Sequence, residues 1–394
     1  MMPELSKFAG KVQASKVVEN RRRADRLAER GIAVIDFGAG EPDFDAPPVV
    51  IEAAIKALRD GRSHYVDPRG LTALRERIAA FEQEKHGWLP TADQVVVTSG
   101  SFCALSLITR ALLNPGDEVL ILEPYWGPYR NMVELCGAVP ITVPAAINRG
   151  GVALDIERLK ARIGPKTKAM IINTPNNPSG TLLGEAELDA IAELAERHDL
   201  WIIADEVYAE LVFEGRHRSV AAVSPAIAAR TVIATSLSKT YALTGWRIGY
   251  CLAPPEVVEV LARINHYTVR CAASFVQYGA IAAFDDAAAD VARMQRAYHQ
   301  RRDLISARIN RLPGFRFAAP QGTFYAFVEV PAVHGDGDRF STALLDELGI
   351  ITTPGSSYGA STRQFVRFSF ATAEREIEAG FDRIETWLCS LKGG

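Results

Sequence analysis

Long apolar runs, paired cysteines and an excess of positive charge are all missing from this chain, and each absence removes a class of function. No uninterrupted apolar stretch reaches the ~18 residues a membrane span requires, and no basic segment followed by an apolar one opens the sequence in the manner of a signal peptide. The expectation is a cytoplasmic protein with no membrane partner. The five cysteines, Cys103, Cys136, Cys251, Cys271 and Cys389, are scattered and never form a Cys-x-x-Cys pair, which disfavours both a disulfide framework and a zinc site. No metal is expected. Lysine and arginine total 44 against 47 aspartate and glutamate, a net charge of −3, so the basic surplus of a nucleic-acid binder is lacking and a small-molecule ligand is expected instead. One segment, Lys16 to Arg30, is locally basic. Its acids and its apolar Val17, Val18, Leu27 and Ala28 read as a solvated amphipathic helix rather than a nucleic-acid arm. Internal repeats and low-complexity tracts are also lacking.

What is present is a large, patterned interior. The 394 residues, 48% of them hydrophobic, suggest about two domains on the usual prior of ~150 residues each. Ile32 to Phe37 reads as a short strand ending in Gly38-Ala-Gly40-Glu-Pro, a turn where the chain passes between domains. From Gln94 a strand, turn, helix pattern repeats. Gln94–Thr98 leads into Ser99-Gly100-Ser101 and a helix from Phe102 to Leu113. Glu118–Leu122 leads into Glu123-Pro-Tyr-Trp126 and a helix through Met132 to Cys136. Lys168–Ile172 leads into Asn173-Thr-Pro-Asn-Asn177-Pro-Ser-Gly180, whose prolines and glycine force a loop, and Trp201–Ala204 leads into Asp205-Glu-Val-Tyr208. Strands this apolar, alternating with helices, predict an α/β fold with a mostly parallel central sheet covered by helices on both faces. Helices follow over Pro255–Ile264, Phe275–Phe284 and Asp290–Leu312. The remainder reads as a smaller α+β unit, with strands at Phe315–Phe317, Thr323–Glu329 and Phe365–Phe370 and helices at Arg339–Leu348 and Glu374–Leu391. The expected division is a large domain, 46–289, and a small domain assembled from 1–45 and 290–394.

Ligands of such sheets bind beyond the carboxyl ends of the strands, and Gly100, Trp126, Asn177 and Asp205 all fall there. So does Lys239, in Ser236-Leu-Ser-Lys239-Thr-Tyr-Ala-Leu-Thr-Gly-Trp-Arg247-Ile-Gly-Tyr250, directly after the β-branched run Thr231–Thr235. A lysine between hydroxyls, with an arginine eight positions on, suits an amine beside a phosphate-bearing cofactor. Each residue alone has a plainer reading: Asp205 as a helix cap, Asn177 as a turn residue, Trp126 as core, Gly100 as a tight turn, Lys239 as a snorkelling surface lysine. Five correctly typed groups at one sheet edge outweigh those separate readings.

The pattern small, apolar, small, Lys239, then Ala242-Leu243, Gly245, Arg247, Ile248 and Gly249 resembles the lysine signature of the class I pyridoxal-phosphate aminotransferases at every restricted position. With the Asn-Asn-Pro-Ser-Gly turn and the Asp-Glu-Val-Tyr segment, the chain resembles fold type I, aspartate-aminotransferase-like members over nearly its whole length. The resemblance implies pyridoxal 5'-phosphate as cofactor and ping-pong transamination between an L-amino acid and a 2-oxo acid. It makes Lys239 the Schiff-base lysine and proton shuttle, Asp205 the partner of the ring nitrogen, and Tyr208 and Asn177 the donors to the ring oxygen. Ser236, Arg247 and the Gly100-Ser101-Phe102 backbone become phosphate ligands, and Trp126 a residue stacking on the ring. Arg367 matches the arginine that grips the substrate α-carboxylate, with Gly40 close by and Trp126 and Asn177 also against the substrate. Tyr65 matches a tyrosine that reaches the partner subunit's phosphate, which implies a homodimer with shared active sites.

Substrate choice is less constrained. Acidic-substrate bacterial members similar to this chain carry a lysine at the position of Phe102, which pairs with the distal carboxylate. Phe102 cannot do so, and unless Arg270 or His266 substitutes for it, a neutral or apolar donor is favoured over an acidic one. Two other readings stay open: a pyridoxal-phosphate enzyme of the same fold that carries out elimination, replacement or cyclisation, and a non-catalytic regulator built on the fold. The regulator would need a DNA-binding domain ahead of the first strand, where only about thirty residues stand.

Overall fold

The computed structural model describes residues 3, 4, 10, 22, 23, 26, 27, 29, 31, 33–86 and 88–391 of the chain. The amphipathic helix expected over Lys16–Arg30 falls largely outside them. Its centre is a seven-stranded sheet built from β2 (Val95–Thr98), β3 (Glu118–Leu122), β4 (Val139–Val143), β7 (Thr167–Asn173), β8 (Trp201–Asp205), β9 (Thr231–Ser236) and β10 (Gly249–Leu252), in the order β2-β10-β9-β8-β7-β3-β4. Adjacent strands from β9 to β4 are parallel, and β10 alone runs antiparallel to its neighbours β2 and β9. Six strands therefore deliver their carboxyl ends to one edge.

These strands carry no apolar–polar alternation because both faces are covered. Ile202, Ala204 and Ile233 enter one core with Leu74, Ile78, Leu188, Ile191 and Val276, while Ile203, Val232 and Ala234, the intervening residues, enter another with Leu105, Ile108, Tyr129 and Leu261. The first core belongs to helices Thr72–His86, Glu185–Arg197 and Ser274–Asp286. The second belongs to helices Ser101–Leu112, Pro128–Leu135 and Pro255–Thr268.

A second sheet is antiparallel, in the order β11 (Arg316–Phe317), β12 (Tyr325–Glu329), β15 (Phe365–Ser369), β14 (Thr353–Pro354). Phe324, Val328, Phe340, Val366, Phe368 and Phe381 fill its core against helices Ala288–Ile309 and Glu374–Leu391. The strand expected over 32–37 is shorter: β1 (Ile35–Asp36) pairs in parallel with β13 (Ile350–Ile351), itself two residues long, so only two positions can find a partner. The expected helix through Met132 runs over Pro128–Leu135, opening on a proline that is pre-set for a first helical position. Strand β4 and the hairpin of β5 (Ala146–Asn148) with β6 (Gly151–Ala153) went unread. β4 lies at the sheet's edge, holds Pro140 and leaves Val139 exposed, so it lacks the apolar run of its neighbours. Among the described residues no helix is long and apolar enough to cross a membrane.

Candidate active site

The carboxyl edge of the central sheet meets two other segments: the loop after β1 and the middle of β15. Asp36 Oδ1 accepts from the N–H groups of Gly38 and Ala39 at 2.8 and 3.1 Å, which turns the chain so that the carbonyls of Gly38 and Gly40 face the edge. Gly38 O accepts a 2.8 Å hydrogen bond from Arg367, and Gly40 O accepts from Lys239 Nζ.

Lys239 lies in the single turn Leu237–Thr240, which opens where β9 ends. Ser236 caps that turn, its Oγ accepting the Ser238 N–H at 2.9 Å. The lysine is half-buried. Burial, with the cations of Arg367 and Arg247 adding to it, lowers its amine to about 8 against the opposing pull of Glu41 and Asp205. Close to neutral pH such a group can both hold and release a proton.

Asp205 ends β8 and is 4% exposed. Burial raises its carboxyl to about 6, and two donors hold it down: Tyr129 Oη at 2.6 Å from Oδ2 and the Val207 N–H at 3.2 Å from Oδ1. Asn177, also buried, is fixed by its own N–H donating to Asn173 Oδ1 at 2.8 Å. Its Oδ1 accepts from Arg367 Nη1 at 3.0 Å, so Nδ2 is left to donate elsewhere. Arg367 faces Asn177 because β15 lies between β12 and β14, opposite Phe327 and Thr353. Its guanidinium rests 4.1 Å from the Tyr325 ring and 5.5 Å from that of Tyr358. Its buried Nε has no hydrogen-bond partner among the described residues. Tyr208 Oη lies 2.9 Å from Tyr325 Oη, and burial pushes the Tyr208 phenol well above its ordinary range, so it stays protonated.

On the far side, Gly100 opens helix Ser101–Leu112 with φ +85° and no side-chain cap. A Cβ there would fall 2.5 Å from Arg247 Nη2, so only glycine lets the guanidinium lie against the helix start. Gly249 is needed for the same approach: its Cβ would stand 2.6 Å from Thr235 O and 2.9 Å from Ser101 N. Uncapped N–H groups, the helix dipole, Arg247 and the Ser236 hydroxyl together can hold a dianion. Trp126 stands edge-on to Phe102 at 5.3 Å and to Tyr129 at 5.5 Å, half-buried beside that helix start.

The contacts thus tie Lys239 and Arg367 to one loop through the carbonyls of Gly40 and Gly38, join Arg367 to Asn177 directly and to Tyr208 through Tyr325, and link Asp205 through Tyr129 to Trp126 and Phe102. Tyr65 is not drawn in. It is 74% exposed, and Arg270 covers its ring at 4.3 Å. Tyr129 and Tyr325 are the site tyrosines that sequence reasoning missed. Each lies in a stretch that reads as ordinary helix or strand, and only the pairing across 76 and 117 residues reveals it. Among the described residues no three His, Cys, Asp or Glu side chains gather as a metal site.

Comparison with known proteins agrees with this geometry. A family model described as "Aminotransferase class I and II" matches residues 32–384. The chain is 36% identical over 391 residues to an aspartate aminotransferase of Geobacillus stearothermophilus, covering 98% of this chain and 99% of that protein. It is 36% identical over 371 residues to an arginine–pyruvate transaminase of Pseudomonas aeruginosa, covering 94% of each. A double mutant of the aspartate aminotransferase of Thermus thermophilus superposes with a TM-score of 0.92 at 34% identity, over 97% of this chain and 99% of that one. The matched span takes in every strand end described above, and the chain belongs to the class I and II aminotransferases, as a pyridoxal-phosphate-dependent enzyme that passes amino groups from amino acids to 2-oxo acids.

Proposed function

We propose that this enzyme runs a ping-pong transamination in which neutral or apolar L-amino acids are favoured over acidic donors. The observation that carries the reading is Lys239, half-buried at the carboxyl end of β9, with its amine near 8 and Arg367, Arg247 and Asp205 around it.

Pyridoxal phosphate, when bound, supplies an electron sink that makes the substrate Cα proton removable. The donor set fits it, with an uncapped helix start beside Arg247 for the phosphate, a buried carboxylate for the ring nitrogen, and spare donors for the ring oxygen. In this reading Arg247, Ser236 and the N–H groups of Gly100, Ser101 and Phe102 hold the phosphate, and Trp126 covers one ring face. Asp205 meets the ring nitrogen. The Tyr208 hydroxyl and Asn177 Nδ2 donate to the ring oxygen. Arg367 would bind the substrate α-carboxylate with the Nη groups it now lends to Asn177 and Gly38, near Gly40, which orients the Cα–H bond for removal. Lys239 Nζ would take the proton from the substrate Cα and hold it for delivery to the carbon beyond the substrate nitrogen.

Phe102, 49% exposed and edge-on to Trp126, offers the substrate side chain an apolar wall. His266 and Arg270 flank the end of the helix at Thr268, with Arg270 over the Tyr65 ring, and in this reading they face the partner subunit's substrate. We read the active unit as a homodimer in the cytoplasm, with Tyr65 reaching the partner subunit. Its exposure, and that of Tyr267 at 88%, supports this. We likewise read the chain as a large domain, 46–289, and a small one, 1–45 with 290–394.

Single-turnover reaction of the cofactor-loaded protein with a panel of L-amino acids tests the assignment. Release of the matching 2-oxo acid, faster for leucine or phenylalanine than for aspartate, is the expected result. Release of ammonia in its place, or a clear preference for aspartate, overturns it.

A further inference from the structure

We propose that Tyr129 is a positioning residue for the cofactor, acting through Asp205: its phenol, held by helix Pro128–Leu135, donates a 2.6 Å hydrogen bond to Oδ2 and keeps the carboxylate ionised and fixed in orientation. The proposal rests on the reading of Asp205 as the partner of the ring nitrogen.

Three observations support it. Tyr129 is 2% exposed, so its hydroxyl has no water to turn to, and its phenol is raised well above the ordinary range by burial and by Asp205. It is therefore a donor at any working pH. The ring is wedged edge-on against Trp126 at 5.5 Å, in the core shared by Val133, Ile171 and Ile203, which fixes the direction of the bond. Finally, the charges facing Asp205 do not settle its ionisation without Tyr129. Lys239 favours the anion from the turn after β9, Glu206 disfavours it from the next position in the chain, and Tyr208 contributes a phenol that stays neutral. Against the burial that dominates Asp205, the Tyr129 hydrogen bond is the largest opposing influence, followed by the Val207 N–H.

A buried anion that loses a donor becomes easier to protonate. Cofactor binding that needs the anion should then fail at a higher pH. The sign follows directly: the Asp205 carboxyl sits near 6 in the folded chain, so binding weakens as pH falls through that value, and in Tyr129→Phe it should weaken earlier.

The experiment titrates cofactor-stripped protein with pyridoxal 5'-phosphate, read by its visible absorption, at pH values between about 5 and 9. Tyr129→Phe is expected to shift the acid limb of the dissociation-constant profile up by about one pH unit, with about 10-fold weaker binding near pH 6. A 3-fluorotyrosine at position 129, a stronger donor of the same shape, should move the limb down, which keeps the question answerable if Tyr129→Phe folds poorly by circular dichroism. Tyr125→Phe, at a neighbouring buried tyrosine whose hydroxyl does not reach Asp205, should leave the profile in place. Profiles for Tyr129→Phe and 3-fluorotyrosine that superpose on the wild type, or a Tyr125→Phe shift of equal size, overturn the role of Tyr129. Asp205→Asn separates this from the underlying reading. If it binds the cofactor like the wild type across the range, the assignment of Asp205 itself falls. If it loses binding while Tyr129→Phe changes nothing, only the inference about Tyr129 falls.

Discussion

Asp205 and Glu206 are consecutive, both buried, and lead to opposite sides of the sheet's end, where they enter two polar clusters of different character. On the Asp205 side, groups are left with capacity to spare among the described residues: Arg367 Nε unpaired, Asn177 Nδ2 open, the first N–H groups of helix Ser101–Leu112 without a side-chain cap. On the Glu206 side, most groups consume one another, although His217 Nδ1 has no hydrogen-bond partner among the described residues. Glu206 accepts from Ser219 Oγ at 2.8 Å and pairs with His217 at 3.1 Å, while Tyr250 donates to Glu82 at 2.7 Å and His86 stands 3.4 Å from Glu210. Ionisation is displaced in both clusters. Burial raises Glu82 to about 8 and lowers His86 to about 4, departures no smaller than that of Asp205. Displaced titration therefore does not mark the functional cluster here; the gathering of several spare donors at the strand ends does.

Substitutions on each side should fail in different ways. The largest effect belongs to Lys239→Ala, expected to lower 2-oxo acid formation by at least about 10⁴-fold while the thermal unfolding midpoint of the cofactor-free protein stays within a few degrees. The absorption lost on borohydride reduction of the wild type should be missing from the variant. If the variant still shows it, Lys239 is not the residue that carries the cofactor. On the opposite side, His217→Ala leaves the Glu206 carboxylate buried beside Ser219 alone, which should cost about 3 kcal/mol of unfolding free energy in denaturant titration. The Michaelis constant for the amino acid should hardly move, and a large change in it would show that the two clusters are coupled. The smallest effect sharpens the comparison through pH. Glu82 holds its proton in the folded chain up to about 8, whereas the unfolded chain gives it up near the ordinary glutamate value of 4.5. Folding stability from this group is thus lost as pH rises between those two values. Glu82→Gln keeps an acceptor for Tyr250 and removes that slope. It should raise the unfolding midpoint at pH 9 by about 5 °C and leave it unchanged at pH 5.

The same contrast explains what could be read from the sequence. Strands β7, β8 and β9 are legible because burial on both faces writes them as unbroken apolar runs, and the glycines, prolines and polar residues just after them mark the edge where Asn177, Asp205 and Lys239 stand. Arg367 is legible only through a resemblance, since a charged residue in the run Phe365–Phe370 carries no local sign of its purpose. The helix Glu374–Leu391 agrees to the residue with its apolar periodicity. What escapes is whatever depends on distant pairing. Nothing near Tyr129 announces Asp205, and nothing in Arg216-His217-Arg218 announces Glu206. Edge strand β4 and the β5–β6 hairpin escape for the opposite reason, having too little buried surface to leave a pattern.

Lys239 and Arg367 are separated by more than a hundred residues, yet both are tied to carbonyls of one short loop, at Gly40 and Gly38. A chain trimmed to begin at Glu41 would keep Lys239, Asp205, Asn177 and Arg367 and lose both of those acceptors, along with Asp36, which turns the loop, and the two-residue β1 that seats it against Ile350 and Ile351. Loss of that segment would thus weaken the enzyme without removing the lysine or the arginine it seats.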